Sequence, residues 1–296
     1  MDTEAHGNFA GKHLVVFGCG YVGGELARQA IARGLRVTAL TRNVEKATAL
    51  RGERIETIVA DLADQSWHAA IPTRPDFVLN AVSSGGGGVE GYRRSYLEGM
   101  KSVLAWTNAR KFSGPFLYTS STSVYPQDGG VNVDESAPVT PRDERAAVLI
   151  ETEKLLRAER SEAWVFRLAG IYGPARVNLV EHVRLGEISG AASHHLNLIH
   201  RDDICAAIWL AFDASTAVRD RTFNVVDDAP STKGEVTNWL AERIGVPSPR
   251  FTGAPGSGRR AVTPDRVILN GKLKKVLGWS PRFPTYREGY SDLLSR

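Results

Sequence analysis

The sequence predicts an α/β fold in which a doubly wound parallel sheet is followed by a smaller C-terminal lobe, and three observations predict it. Short continuous apolar runs at 13–18, 35–41, 55–60, 76–82, 114–120 and 163–169 alternate with helical patterns at 21–33, 43–50, 64–70, 90–112 and 142–160. Strands that are apolar throughout are buried on both faces, and alternation with helices makes them parallel. The first run ends in a glycine turn, Gly18-Cys19-Gly20-Tyr21-Val22-Gly23, that opens a helix. After about residue 172 the alternation loosens. Gly173-Pro174 breaks it, and a helix over 177–187, a loop at 190–193, a strand over 195–199 and a helix over 202–212 follow. The run 222–226 reads as one more core strand, and helices are expected at 232–244, 270–277 and 286–295. The Pro/Gly/Arg-rich stretch 247–260 reads as a mobile surface loop. The pattern gives a dinucleotide-binding domain over 1–172, with 199–228 returning to it, and a capping lobe made of 173–198 and 229–296.

A chain of 296 residues can bury one large core or two modest ones. Its net charge of +4 is spread among interspersed acids and bases, so no segment reads as a nucleic-acid arm, whereas a phosphate-bearing small ligand suits the balance. Cys19 and Cys205 have neither metal-ligand spacing nor a partner framework, which favours a reducing compartment. Residues 1–11 lack the apolar stretch of a signal peptide, and no run approaches the ~18 apolar residues of a membrane span. A cytoplasmic protein is expected. Its partner would be a small-molecule substrate rather than nucleic acid or membrane; the oligomeric state stays open, a homodimer being one option.

The glycine turn is a G-x-G-x-x-G match in the context that gives the motif its meaning, between strand and helix. Gly18 suits the tight turn, Gly20 close approach to a pyrophosphate, and Gly23 close helix–strand packing. Backbone N–H groups at the helix start, including those of Tyr21 and Val22, would face the phosphates with the dipole behind them. Ligands of such sheets sit beyond the carboxyl ends of the strands, so each strand end matters. The second strand ends at Thr41-Arg42, where an NAD site usually places an acid for the ribose 2′-OH. Arg42 instead suits a 2′-phosphate, with Lys46 a turn further on, so NADP is the expected cofactor and NAD the alternative. After the third strand, Asp61-Leu62 offers either an acceptor for the adenine amino group or a cap for the segment beginning near Asp64. The fourth ends in Asn80-Ala81-Val82-Ser83-Ser84 and four glycines, 85–88, small residues against which a cofactor could lie, or a slack connector. The fifth ends in the hydroxyl cluster Ser120-Ser121-Thr122-Ser123 before Val124-Tyr125, where a substrate oxygen could be held.

Together these segments resemble the extended short-chain dehydrogenase/reductases, the NAD(P)-dependent epimerase/dehydratase group. The resemblance continues through Arg167-Leu168-Ala169-Gly170-Ile171-Tyr172-Gly173-Pro174, Asn197-Leu198-Ile199-His200-Arg201-Asp202-Asp203-Ile204, Phe223-Asn224-Val225-Val226 and Leu277-Gly278-Trp279-Ser280-Pro281. It implies a Rossmann-type fold, a nicotinamide cofactor held by Gly18, Gly20, Tyr21, Val22, Gly23, Arg42, Asp61, Leu62, Ala81, Val82, Ser83 and Ser120, and a substrate oxygen held by Ser121. It also exposes departures. The family's Tyr-x-x-x-Lys pair falls on Arg145 and Leu149 when Glu153 is aligned with the acid that follows it, and no tyrosine stands between Tyr125 and Tyr172. A phenol needs such a lysine to act near neutrality, and an arginine cannot replace it as an acid. The family's helix asparagine is replaced by Tyr96, three residues before Gly99. Tyr96 is a candidate proton donor, although its spacing with Tyr92, Met100 and Val103 also fits a packing stripe. Tyr125 and Tyr172 read as packing residues, Glu151 and Glu153 as helix-surface partners of Lys154 and Arg157, and His200 as fixing its own loop. His194-His195 lack a third metal ligand. Three functional readings follow: an atypical NAD(P)-dependent oxidoreductase or epimerase acting on a small carbonyl or hydroxyl substrate, sugar-like among the options; a catalytically silent NADP-binding sensor or regulator; or a structural or interaction protein with a vestigial cleft, against which the intact glycine motif and Arg42 argue.

Overall fold

Seven strands form one parallel sheet: β1 (His13–Phe17), β2 (Arg36–Thr41), β3 (Glu56–Val59), β4 (Phe77–Asn80), β5 (Phe116–Ser121), β6 (Trp164–Leu168) and β7 (Thr222–Val225), in spatial order β7-β6-β5-β4-β1-β2-β3. The computed structural model describes residues 9–84, 86–214, 216–253 and 264–295. β1 lies between β4 and β2, with Phe17 opposite Asn80 on one side and Leu40 on the other. The strand order therefore reverses direction at β1, the switch point where ligands of open sheets collect. Every residue of β1, β4 and β6 is buried, as unbroken apolar strands demand.

The chain divides into two compact units, Met1–Val124 with Val139–Arg167 and Ala207–Phe223, and Tyr125–Pro138 with Leu168–Ala206 and Asn224–Arg296. Residues 125–138, 168–172, 199–206 and 224–228, which the sequence pattern assigns to the dinucleotide-binding part, fall in the second unit. In the first unit a buried aromatic group, Phe17, Trp67 and Trp106, packs with ring centroids 4.9–5.6 Å apart beneath Leu62, Val78, Met100 and Tyr118. The helices there are α1 (Tyr21–Ala32), α2 (Val44–Gly52), α3 (Gly88–Arg93), α4 (Gly99–Ala109) and α5 (Glu144–Glu159). Asn43 caps α2 through the Lys46 N–H at 2.7 Å, and Asp143 caps α5 through the Ala146 N–H at 2.8 Å. In the second unit Tyr172, Val180, Val183, Val236, Leu240, Tyr286 and Tyr290 form the core. Among the described residues no helix is long and apolar enough to cross a membrane.

Four sequence expectations need correction. The stretch 64–70 is a short 3-10 helix, Ser66–Ala70, because the buried Trp67 donates its indole N–H back to the Leu62 carbonyl at 3.2 Å and tightens the segment. The stretch 90–112 is not one helix. A π-turn, Arg94–Glu98, separates α3 from α4, and Gly99 then seats against Leu62, where a Cβ would come 3.0 Å from Leu62 Cδ2. The expected strand 195–199 is two. His195–Leu196 pairs antiparallel with Ser231–Thr232, Leu198–His200 pairs parallel with Gly170–Tyr172, and Asn197 between them bonds Arg266 O and Ile268 N with its carboxamide. Within 247–260, Arg250–Phe251 is a short strand beside Glu187–Ile188, while 254–260 lie outside the described residues.

Candidate functional site

Two glycines of the turn are fixed by the protein's own backbone. Gly18 has φ +83°, and a Cβ on it would lie 2.5 Å from Val82 N and Cα. The turn is thus pressed onto the end of β4, as the Ala81 N–H to Phe17 O bond at 2.8 Å requires. A Cβ on Gly23 would lie 2.4 Å from Gly18 O and 3.1 Å from Val16 Cγ1, which ties the close approach of α1 and β1 to glycine. Gly20 is different. A Cβ there would meet only Gly18 O, at 3.8 Å, so the space beside it is open rather than filled by protein. The first α1 bond runs from Gly24 N to Gly20 O, so the N–H groups of Val22 and Gly23 precede it without an acceptor inside the helix. Open space over Gly20 and donors at a helix start fit a pyrophosphate. Half-buried Tyr21 opens α1 and Val22 is buried in it. Cys19 is buried in the turn, and burial pushes its thiol up to about 11, which disfavours the nucleophilic thiolate.

Around the glycine turn stand the ends of β2, β3 and β4. Arg42 is exposed and donates through Nη2 to the Ser84 carbonyl at 3.2 Å, an oxygen that also accepts the Ser95 hydroxyl at 3.4 Å. Ala81 and Val82 are half-buried at the end of β4 and Ser83 is exposed; Gly85 lies outside the described residues. Asp61 accepts the Ala63 N–H on Oδ1 and Arg94 Nε on Oδ2, both at 2.9 Å, while Arg94 Nη2 reaches Asp64 Oδ1 at 2.9 Å. Its carboxyl sits below the ordinary aspartate value. Burial pulls the other way, but the Ala63 N–H and the Arg94 guanidinium prevail, with the Arg42 charge adding to them. No helix is capped by Asp61, which closes a local turn instead, and the segment at 64 is the 3-10 helix already described. Leu62 is buried in the core.

At the end of β5 the two hydroxyls diverge. Ser120 is buried and donates to Glu153 Oε1 at 2.5 Å; Glu153 is also gripped by Arg167, through Nη2 at 2.7 Å and Nε at 3.2–3.3 Å. Glu153 is therefore not a helix-surface partner of Lys154 or Arg157, as its neighbours in sequence suggest. It is 7% exposed, while Arg157 bonds the carbonyls of Ser161 and Ala163 and the Thr222 hydroxyl. Glu151 pairs with Arg93 at 3.3 Å. A signal for Glu153 existed, since it continues the buried stripe Ala146, Leu149, Ile150 and Leu156 of α5. Arg94 carried no comparable signal. Ser121 is half-buried, and its Oγ accepts the Ser123 N–H at 3.2 Å, which leaves its own O–H to donate.

Arg145 is half-buried and Leu149 is 1% exposed in the core. Tyr96, in the π-turn, packs on the core with its ring 4.5 Å from that of Tyr92. Tyr118 nearby is fully buried, and burial, with Tyr96, Glu153 and Tyr92 adding, holds its phenol neutral. In the second unit Tyr172 stacks on Tyr290 at 4.7 Å, Tyr125 donates to Asn224 Oδ1 at 2.8 Å, and His200 is buried with Nδ1 accepting the Asp202 N–H at 3.2 Å. His195 Nδ1 meets Asp265 Oδ1 at 2.8 Å, and among the described residues no group of three or more His, Cys, Asp or Glu could hold a metal ion.

The geometry agrees with the comparisons. Protein YeeZ of Escherichia coli strain K12 is 26% identical over 280 residues, covering 92% of this chain and 97% of that protein. The 2-alkyl-3-oxoalkanoate reductase of Stenotrophomonas maltophilia is 26% identical over 261 residues, covering 80% and 76%. A solved structure from Methylobacillus flagellatus, named for the NAD-dependent epimerase/dehydratase type, superposes with TM-score 0.77 at 28% identity over 96% of this chain and 98% of that one. The UDP-glucuronic acid 4-epimerase of Bacillus cereus, solved with UDP-glucuronic acid and NAD, shares the fold at TM-score 0.80 and 16% identity, covering 94% and 96%. Residues 14–225 match the sequence model of the NAD dependent epimerase/dehydratase family. With a match over that much of its length, and with the switch-point strand order and the glycine turn in place, this chain belongs to the NAD-dependent epimerase/dehydratase family.

Proposed function

We propose that the protein is an NAD(P)-dependent oxidoreductase or epimerase of this family that prefers NADP and acts on a small carbonyl or hydroxyl substrate. The observation that carries the reading is the pairing of an open glycine turn with Arg42, an exposed arginine where an NAD site usually has an acid. Gly18, Gly20, Val22, Gly23, Ala81, Val82 and Ser83 would hold the pyrophosphate and ribose, and Arg42 the 2′-phosphate. A bound nicotinamide would supply or take a hydride. Ser121 would hold the substrate oxygen with its unspent O–H, leaving the proton to Tyr96 or to water. The segments 173–198 and 229–296 would select the substrate.

Arg42 supplies the test. Arg42→Ala should erase a preference for NADPH over NADH, read as the ratio of their dissociation constants; an unchanged ratio removes Arg42 from the reading. A second reading, a silent NADP-binding sensor or regulator, is supported by one residue: Leu149, onto which the resemblance aligns the family's lysine, is buried in the core. Tight NADPH binding without oxidation across a broad panel of carbonyl compounds would support it, and steady turnover of any of them would remove it.

A further inference from the structure

Two arginines stand at the adenosine end of the site, and their partners differ. Arg42 donates to a neutral acceptor, the Ser84 carbonyl. Arg94 is held between two carboxylates, by Nε to Asp61 and by Nη2 to Asp64, with the side chain 48% exposed. Asp61 is bonded directly by Arg94 and feels the Arg42 charge as a smaller contribution. An anion approaching Arg94 meets two negative groups first, so Arg94 is a poor phosphate receptor. What it keeps is a planar group, held by bonds from Nε and Nη2 to two separate acids and 48% exposed, of the kind that stacks on a flat, electron-rich ring.

The π-turn makes this placement. Consecutive residues in it serve different strand ends, Arg94 reaching the loop after β3 and Ser95 the Ser84 carbonyl after β4. One extra residue in the turn shifts the side-chain register against a regular helix, and such insertions recur at functional sites.

We propose that Arg94 is the stacking platform for the adenine ring of the dinucleotide, while Arg42 alone reads the 2′-phosphate. The inference rests on the cofactor reading above. Dissociation constants measured by calorimetry for NADPH, NADH and nicotinamide mononucleotide test it in the wild type, Arg94→Ala and Arg94→Lys, with urea midpoints as a check on folding. Both variants should weaken NADPH and NADH equally, about fivefold or more, and leave the adenine-free mononucleotide unchanged. Lysine should not rescue, because it keeps the charge and loses the plane. Unchanged dinucleotide affinities, a full rescue by lysine, or a loss confined to NADPH would each overturn it. If the wild type binds neither dinucleotide, the cofactor reading itself fails, a result distinct from all three.

Discussion

Ser120 and Ser121 are neighbours with opposite duties, because successive residues of a strand face opposite sides of the sheet. Ser120 turns into the protein and donates its hydroxyl hydrogen bond to Glu153, whereas Ser121 accepts a backbone N–H and keeps its own O–H to donate. If Ser121 holds the substrate oxygen, Ser121→Ala should lower kcat at least about tenfold on any carbonyl substrate that turns over, by analogy with loss of an oxyanion donor. Its NADPH dissociation constant should stay within error of the wild type; weakened cofactor binding would show that Ser121 serves the cofactor instead. The hydroxyl cluster was visible in the sequence, but the division of labour within it was not. That division depends on Glu153, a residue 33 positions away that reads as solvated when only its charged neighbours are considered.

At the scale of elements, one buried cluster joins α5 to β5 and β6: Glu153 on the helix, Ser120 and Arg167 on the strands. Removing one partner of a buried ion pair leaves the other unsolvated, so Glu153→Ala should destabilise the protein by about 3–5 kcal/mol in urea unfolding. Replacing both, Glu153→Leu with Arg167→Met, should recover most of that loss, and a double variant as unstable as the single one would show that the pair is not the cause. The six first strands and the helices α1, α2 and α5 were legible, because apolar runs and glycine punctuation fix them locally. The π-turn was not, since a single extra residue in a helical turn leaves the apolar spacing of Tyr92, Tyr96 and Met100 intact. The break at Asn197 was equally hidden. It depends on which segments lie on either side, and Arg266 and Ile268 are about 70 positions away.

For the whole molecule, pH is the variable that the buried acids control. Burial pushes Asp227 up to about 8, the Ala229 N–H opposing and the charges of Asp228, Asp203 and Glu288 adding. Asp203 is pushed up to about 6 by burial against the opposing N–H groups of Arg282 and Phe283. An unfolded aspartate titrates near 3.9. Between about pH 4 and 8 these two folded aspartates thus keep protons that their unfolded counterparts have released, and their contribution to stability falls as pH rises through that window. Urea unfolding should lose on the order of 2–4 kcal/mol from pH 5 to pH 8, and Asp227→Asn should remove most of that slope. An equal slope in the variant would assign the loss to other groups. The glycine turn answers to a different feature of its surroundings. Cys19 sits inside it with its thiol pushed up to about 11, so at neutral pH only ~1 in 10,000 molecules carries the thiolate that oxidants and alkylating agents attack. The turn that would cradle a redox cofactor thus keeps its one sulfur in the protonated, less reactive form at neutral pH.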